Sequence, residues 1–386
     1  MRNRFISTLE LVRLLARGAS VEQLLSPCAD DSAHLLMRMS MLFNIFGNAE
    51  NANALQLQAL GLQQHYSLPA STKPATLRLL VILKNGFFLD NTPFEFLIDG
   101  ADIDVEILYV TIDSPLPESL PEHDIVFIAI AQFEHYRPLF DRIAPLLESD
   151  AGPVINMPAR EFGFERDRLN DLLAGIPGLL VPKTTKVRRD ELLGLVDREV
   201  LSFPVIVRPL LSQAGKGLDR LTSRAEACVY LTRQSEPSFY LASYVDYQST
   251  DGQYRKCRVL LLRGQPFICH LAISSNWMVH YQSAGMERSE VKRQEEAAFM
   301  ENSENEFISR HSSIFSEIAA RIGIDYFVID CAETQDGKLL FFEADNVSII
   351  HAADSVDLFP YKQVQMRKVF QAFRSLLDSA RHERAR

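Results

Sequence analysis

The spacing of apolar residues changes twice along the chain, and each change marks a region of a different kind. In residues 1–70, apolar positions recur at helical spacing, and Ser7 precedes Glu10 in a helix-capping pattern. The pattern predicts helices over residues 9–15, 20–25, 35–46 and 54–65. We therefore expect an N-terminal helical region built of two helical hairpins.

The middle region, residues 75–157, follows a linker rich in serine and proline at 67–74. Short apolar runs at residues 77–83, 105–110 and 125–131 predict buried strands, and helical stretches lie between them. Strands that alternate with helices predict a small open α/β layer.

The last region, residues 158–386, mixes the two patterns, and the whole chain is therefore expected to belong to the α+β class. Strands are predicted over residues 181–187, 203–209, 218–221, 239–245, 254–262, 265–273, 325–333 and 338–345. Helices are predicted over residues 166–173, 189–197, 224–233, 288–320 and 364–380.

Composition and charge narrow the classes of function. The 386 residues carry 40 Lys+Arg against 50 Asp+Glu, a net charge of −10, which argues against a protein held on nucleic acid by a basic face. No apolar run approaches the roughly 18 residues of a membrane span. The five cysteines show no CxxC spacing, so we expect reduced thiols and a cytoplasmic protein.

A glycine-rich segment follows the strand at 203–209. Arg208 stands at the end of that strand, and Gly215 and Gly217 flank Lys216 in the loop beyond it. Glycines let backbone N–H groups approach phosphate oxygens closely, and a nearby cation supplies the counter-charge. The segment is either a phosphate-binding loop or an ordinary strand–helix loop with a surface lysine.

An acidic hairpin lies near the end of the chain. Asp336-Gly337 predicts a two-residue turn, which pairs residues whose numbers add to 673. Asp330 and Glu343 would then face each other with Cβ atoms about 5 Å apart, and Asp345 would share their face. Opposed carboxylates either bind a divalent cation or form a solvated acidic face; the apolar flanks favour the metal.

Two cations and a polar aromatic segment precede this hairpin. Arg258 and Lys256 share one face of an apolar strand, where they form either a salt bridge to the acids or a clamp for phosphate or an oxyanion. The segment that follows is either a packed aromatic loop or a substrate-binding element in which His270 or His280 acts as a general base. Its other candidate substrate residues are Ser274, Trp277 and Tyr281, and His351 is a further candidate downstream.

In their order along the chain, the PVIVRP strand, the glycine-rich loop, the strand-borne arginine and the ID…DG…ExD hairpin resemble the ATP-grasp superfamily, of the glutathione-synthetase-like kind. The resemblance covers about residues 150–360. It implies an ATP-grasp region at 158–386, with a lid subdomain at about 180–246 and a C-terminal subdomain at about 247–386, preceded by the family's α/β domain. The chain is also similar to uncharacterised bacterial proteins in which TPR-like helices come first.

The resemblance assigns roles to individual positions. The ATP-binding residues that it implies are Arg208, Ser212, Gly215, Lys216, Gly217, Tyr240, Leu241 and Tyr244, with Lys183 or Arg168 as the second cation on the nucleotide side. Asp330, Glu343 and Asp345 match the metal-binding acids, although the family's usual Asn is Asp345 here. Arg258 matches the phosphate-clamping arginine. The family's adenine-side Glu is missing from residues 242–245, which puts ribose contacts in doubt.

The activity implied by the resemblance is an ATP- and Mg²⁺-dependent ligase that joins a small-molecule or peptide carboxylate to an amine (or a thiol) through an acyl phosphate. A kinase that uses the same site and a non-catalytic nucleotide-binding or scaffold protein are the alternatives. Docking of a protein partner, docking of a peptide substrate and formation of a homodimer remain open for the N-terminal helices. We expect no nucleic-acid partner and no membrane.

Overall fold

The computed structural model describes residues 5–28, 31–150, 152–158, 163–197, 202–210, 212 and 215–383. The helices are α1 Thr8–Ala16, α2 Val21–Leu25, α3 Ser32–Ile45, α4 Ala49–Leu62, α5 Phe94–Leu97, α6 Arg137–Ser149, α7 Arg166–Leu173, α8 Arg189–Asp197, α9 Arg224–Arg233, α10 Glu290–Asn302, α11 Ser309–Ile322 and α12 Pro360–Glu383. None of the described helices combines the length and the apolar character that a bilayer crossing requires.

The strands belong to three sheets. They are β1 His65–Leu68, β2 Leu77–Lys84, β3 Ile103–Val110, β4 Ile125–Ile128, β5 Val154–Ile155, β6 Leu179–Leu180, β7 Thr184–Arg188, β8 Val205–Pro209, β9 Asp219–Leu221, β10 Ser238–Ser243, β11 Tyr254–Leu262, β12 Gln265–Ser274, β13 Tyr326–Glu333 and β14 Leu339–Asp345. Helices and sheets are thus mixed along the chain, and the predicted α+β class is confirmed.

The chain divides into two compact units. The first comprises Met1–Phe162, Ile324–Phe327 and Asp345–Arg386, and the second comprises Gly163–Gly323 and Val328–Ala344. The sequence placed the C-terminal segment with the last domain, whereas the structure groups it with the first unit. The physical reason is burial: in α12, Phe373 is fully buried against Phe127 of β4 and Tyr326.

The first unit contains the predicted α/β layer. Its sheet has the order β1-β3-β2-β4-β5, with β1 antiparallel to β3 and the other neighbours parallel. Apolar residues of β2, β4 and α6 form its core, among them Ile82, Val126, Ile128 and Phe140. The continuous apolar runs predicted these buried strands, because both faces of a parallel sheet are covered.

The linker prediction was wrong at its start, because β1 occupies residues that were assigned to it. In β1 exposed and buried residues alternate, and Tyr66 is fully buried, with its ring 5.3 Å from that of Phe5 and 6.1 Å from that of Tyr109. Burial of this aromatic side chain draws the segment into the sheet.

Helix α1 begins as the sequence predicted, since Ser7 accepts a hydrogen bond from the backbone N–H of Glu10. The same helix end is held by Glu95 of α5, which accepts a hydrogen bond from the N–H of Leu9 at 3.3 Å. Burial raises the pKa of Glu95 to about 7. A carboxyl group whose pKa rises on folding stabilises the fold at low pH, and this stabilisation is lost as pH increases towards 7.

Replacing Glu95 with Gln is expected to remove that pH dependence. In the native protein the free energy of unfolding should fall by roughly 3 kcal/mol between pH 4 and pH 8 through this group alone, at about 1.4 kcal/mol per pKa unit. The difference between Glu95→Gln and wild type in urea denaturation across this range isolates the effect. Glu50→Gln, at an exposed position of α4, should keep the wild-type profile; parallel profiles for wild type and Glu95→Gln would contradict the assignment.

The second unit holds two sheets. A lid sheet has the order β7-β10-β8-β9 and is antiparallel, and a central sheet has the order β12-β11-β13-β14-β6. Helices α8 and α9 cover the lid sheet, where Val207, Tyr230 and Phe239 are buried together. In the central sheet, β11 and β12 form the predicted hairpin, with a bulge between Arg258 and Val259.

Two predictions for this unit need correction. The long helix at 288–320 is interrupted, because α10 ends at Asn302 and a π-helical turn at Glu304–Ile308 separates it from α11. That turn buries Phe307, whose ring lies 5.3 Å from that of Phe299. Such turns re-aim a helix without ending it, and no residue type announces them.

The turn of the acidic hairpin is longer by one residue than predicted. The backbone N–H of Thr334 donates a hydrogen bond to the carbonyl of Lys338 at 3.0 Å. The carbonyl of Thr334 accepts a hydrogen bond from the N–H of Gly337 at 2.9 Å. Gly337 has a φ of 77°, so the loop has three residues and ends in a glycine bulge. Asp-Gly is favourable both in a two-residue turn and in a three-residue loop. At the turn, Thr334 therefore pairs with Lys338, one position away from its predicted partner.

Candidate functional site

A cleft in the second unit lies between the lid sheet and the central sheet. It contains about 1050 Å³ of empty space, its open mouth included, which is enough for a ligand of cofactor size. Its apolar lining comes mainly from Leu169, Val181, Ile206, Leu218, Leu340 and Phe342. Strands β8 and β10 and the segment after β12 supply polar and aromatic side chains to the same space.

Arg208 brings a buried cation into the cleft from the end of β8. Its side chain is 11% exposed, and it donates hydrogen bonds to the hydroxyl and the carbonyl of Ser212. Burial lowers the pKa of Arg208 to about 10, and the neighbouring charge of Arg166 adds to this. The guanidinium is still charged at neutral pH, so the predicted cation lies where an anion could reach it.

Glu343 on β14 faces two arginines. Arg166 at the start of α7 donates a hydrogen bond to its carboxylate, and Arg208 Nη1 lies 4.0 Å from Glu343 Oε2. Burial would raise the pKa of Glu343, but the charges of Arg166 and Lys256 outweigh it and lower the pKa to about 2. The carboxylate is therefore ionised at any physiological pH.

Asp330 on β13 is paired with both cations of β11. Arg258 binds its two carboxylate oxygens at 2.8 and 3.1 Å, and Lys256 Nζ lies 2.6 Å from Oδ2. Asp330 is 2% exposed, and although burial opposes ionisation, the two cations hold the pKa of its carboxyl far below the usual range. The salt bridge that the sequence left open is present.

The two acids share one charge cluster. Lys256 lowers the pKa of both Asp330 and Glu343, and the negative charge of Asp330 raises that of Glu343. Among the described residues of this cluster, four cations (Arg166, Arg208, Lys256 and Arg258) face these two carboxylates. The surplus of positive charge, in a chain of net charge −10, suits a polyanionic ligand.

Two carboxylates of the charge cluster are candidate ligands for a metal ion. Within the described ranges, no group of three or more His, Cys, Asp and Glu side chains could hold one by itself. Asp330 and Glu343 nevertheless fit Mg²⁺, which takes one or two carboxylates and fills its remaining positions with water and phosphate oxygens. Asp345 belongs to the first unit, where its carboxylate accepts hydrogen bonds from the N–H groups of Val347 and Ser348 at 2.8 and 2.6 Å.

The glycine-rich loop returns to the end of β8. Gly215 and Gly217 have φ angles of 74° and 70°, and Lys216 between them is exposed. A Cβ atom on Gly217 would lie 2.8 Å from Pro209 Cδ, so both the backbone conformation and the space require glycine. Residues 213–214 of the predicted loop lie outside the described residues.

Replacing Gly217 with Ala is therefore expected to lower the free energy of unfolding by about 2–3 kcal/mol, because backbone strain and a steric clash add up. Gly18→Ala is the matched control, since Gly18 has a φ of 87° and open space around its Cβ position. Gly18→Ala should lower the free energy of unfolding by about 1 kcal/mol, because it introduces backbone strain without a steric clash. Equal losses in denaturant titrations of the two variants would contradict the close contact with Pro209.

The other residues predicted to bind ATP differ in their position relative to the cleft. Tyr240 and Tyr244 line the cleft, whereas Leu241 packs into the core of the lid. Lys183 is exposed between two lining residues. The sequence pointed to Arg168 of α7, but the cation that α7 contributes to the lining is Arg166.

The predicted histidines lie on the central sheet and just beyond it. His270 is opposite Arg258 in the β11–β12 register, and its ring stacks on that of Tyr281 with centroids 4.4 Å apart. The hydroxyl of Tyr281 donates to Glu296 at 3.0 Å. His280 is half-buried, and burial and the charges of Lys256 and Arg258 lower its pKa, which keeps its imidazole neutral.

The other predicted substrate residues fall in both units. Ser274 is buried at the end of β12, where its hydroxyl accepts the N–H of Asn276 at 3.0 Å. His351 lies in the first unit, and its Nδ1 accepts the N–H of Ala353. Trp277 lines the cleft of the second unit.

Sequence reasoning missed Arg166. Arg166 opens α7 two positions before Arg168, so the helix start carried a signal, but its partner is 177 positions away in the chain. For Lys256 it left a salt bridge and a phosphate clamp open, and the structure shows the salt bridge, to Asp330.

No protein-family model and no curated protein sequence matches the chain. Among solved structures, a D-alanine–D-alanine ligase from Bacillus anthracis complexed with ATP is 14% identical, with a TM-score of 0.48 over 80% of this chain and 99% of that one. An ATP-grasp RimK domain protein from Sphaerobacter thermophilus is 14% identical (TM-score 0.42, 76% and 96% covered). An L-amino acid ligase from Bacillus licheniformis is 13% identical (TM-score 0.40, 78% and 75% covered). TM-scores below 0.5 leave the family of this chain open.

Proposed function

We propose that the protein is an ATP-grasp enzyme, an ATP- and Mg²⁺-dependent ligase that joins a carboxylate to an amine. The observation that carries the proposal is the charge cluster of the cleft, in which two ionised carboxylates, one fully and one partly buried, lie among four cations. A binding scaffold has no need for carboxylates that are so costly to bury. The order of motifs in the sequence supports the same function.

The cleft has a part for each portion of ATP. Its apolar lining suits the base, and Arg208, Arg166 and the end of the glycine-rich loop suit the phosphates. Asp330 and Glu343 would hold Mg²⁺. When bound, Mg²⁺ neutralises charge on the phosphate oxygens and orients them.

In the proposed reaction, side chains of the protein offset developing negative charge, and the lid excludes water. A substrate carboxylate oxygen forms a bond to the γ-phosphorus as the bond to ADP breaks, and the resulting acyl phosphate is attacked by the amine, which forms the C–N bond and releases phosphate. Arg258 and Lys256 offset the negative charge that develops in both steps. The lid excludes water, which would otherwise hydrolyse the acyl phosphate.

His280 is the proposed acceptor of the proton that the amine loses. Its lowered pKa leaves the imidazole neutral and able to take a proton at neutral pH. The neighbouring cations Lys256 and Arg258 disfavour a further positive charge on His280, so the proton passes on readily to solvent or to released phosphate.

The function is tested by measuring ADP and phosphate release with Mg·ATP against pools of carboxylates and amines, with products identified by mass spectrometry. The proposal predicts release that requires both a carboxylate and an amine, together with a product of their summed mass less water. A stable phosphorylated product without ligation would identify a kinase. No ADP release with any pool, combined with tight nucleotide binding, would favour the non-catalytic alternative.

A further inference from the structure

Arg220 lies over two aromatic rings at the cleft. Its guanidinium carbon is 4.8 Å from the ring centroid of Tyr244 and 5.6 Å from that of Trp277. The two rings meet edge-to-face, with centroids 5.9 Å apart and an interplanar angle of 88°. At these distances the cation is attracted by the faces of both rings.

The three residues come from different parts of the second unit. Arg220 belongs to β9 of the lid sheet, Tyr244 follows β10, and Trp277 follows β12 of the central sheet. Tyr244 and Trp277 line the cleft. The stack, which we call the clasp, therefore ties the lid sheet to the central sheet beside the cleft.

Further contacts hold Trp277 in place. The hydroxyl of Tyr247 donates to the carbonyl of Trp277 at 2.6 Å, and the Tyr247 ring packs 5.1 Å from that of Phe342. The position of a Cβ atom on Gly215 lies 3.7 Å from Met278 Sδ, so the glycine-rich loop ends against the residue next to Trp277. These contacts hold the backbone of Trp277 and its neighbour Met278, while Arg220 and Tyr244 contact the indole ring itself.

Two groups of side chains lie at the cleft. Arg166 and Arg208 lie at Glu343, and the rings of Tyr244 and Trp277 lie at Arg220. A nucleotide has one polyanionic and one aromatic portion. The sequence placed Trp277 on the substrate side, but in the structure it lines the cleft beside Tyr244.

We propose that Trp277, with Tyr244, is the wall against which the nucleobase stacks, and that Arg220 is the positioning residue that holds this wall and the lid together. This inference rests on the proposed function, because it specifies how the same cleft selects a nucleotide. It assigns binding of the base to the clasp and leaves phosphate binding to the arginines around Glu343.

The test exploits the fact that Trp277 is the only tryptophan of the chain. Titration of the wild-type protein with Mg·ATP should change its intrinsic fluorescence, and Mg·tripolyphosphate, which has no base, should compete for the same cleft. Calorimetry then compares the two ligands on variants. Trp277→Ala should weaken ATP binding by about tenfold, as the loss of one stacked base does, and tripolyphosphate binding by less than about twofold.

The positioning role of Arg220 has its own variants. Arg220→Gln should weaken ATP binding by about fivefold and shift the emission maximum of Trp277, while Arg220→Lys should stay close to wild type because it keeps the cation. Trp277→Phe should recover most of the affinity that Trp277→Ala loses. Arg233→Gln, which removes an exposed lid arginine paired with Asp219, is the matched control and should bind both ligands like wild type.

The outcomes separate this inference from the function on which it rests. If wild type binds ATP and Trp277→Ala and Arg220→Gln bind it equally well, the clasp has no part in base recognition and the ligase proposal stands. If the variants lose tripolyphosphate and ATP in parallel, the clasp only supports the fold, and the inference is overturned. If wild type binds neither ligand, the proposed function fails, and the inference fails with it.

Discussion

Replacing Glu343 with Gln is expected to reduce ATP-dependent product formation by a factor on the order of 100 or more, because one charge in a preorganised site is worth that much to a phosphoryl-transfer transition state. The amide keeps the size of the side chain but removes the charge that would hold Mg²⁺ and that balances Arg166 and Arg208. Phosphate release with a substrate pair accepted by wild type is the measurement.

Glu333→Gln is the matched control for this variant. Glu333 lies on the adjacent strand, is exposed to a similar degree as Glu343 (32% against 30%) and is also ion-paired, with Arg310 and His311. The account predicts near wild-type turnover for the control and a folded, inactive Glu343→Gln protein. Full activity in Glu343→Gln would show that this carboxylate is outside the chemistry.

The second large effect is on stability. Asp330→Asn should lower the free energy of unfolding by about 3 kcal/mol, because Lys256 and Arg258 would lose the negative charge of Asp330 in a largely buried setting. Asp330 is 2% exposed, so water cannot replace the lost partner. Chemical denaturation at pH 7 measures the loss.

Asp251→Asn is the comparison for this prediction. Asp251 also binds an arginine, Arg255, at 2.7 Å, but its side chain is 50% exposed, and exposed ion pairs contribute little. A loss for Asp330→Asn that is no larger than that for Asp251→Asn would mean that the buried cluster is not what holds β11 and β13 together.

The elements could be predicted from the sequence because they depend on local patterns. Helix α1 begins after Ser7, where the capping pattern placed it, and the β11–β12 hairpin turns at Arg263 and Gly264. The acidic turn could not be predicted to the residue, because Asp336-Gly337 fits a loop of two residues as well as one of three. Within the lid, Arg208 lies on the predicted strand end and points to the cleft.

The rest of the site depends on contacts between distant parts of the chain. Arg166 reaches Glu343 across 177 positions, and nothing near Arg166 in the sequence indicates this partner. The contact of Arg220 could not be predicted either. A charged residue in a short strand is common, and only the fold brings Arg220 over the ring of Trp277. The side chains on one strand face, such as Lys256 and Arg258, were predictable, because strand periodicity alone places them together.

Calorimetric titration with a non-hydrolysable ATP analogue, with and without Mg²⁺, on wild type and Glu343→Gln tests the proposed nucleotide site most directly. The account predicts binding to wild type that is strengthened at least tenfold by Mg²⁺, and loss of this Mg²⁺ dependence in the variant. Absence of binding to wild type under both conditions would contradict the account, because the charge cluster of the cleft would then not be a nucleotide site.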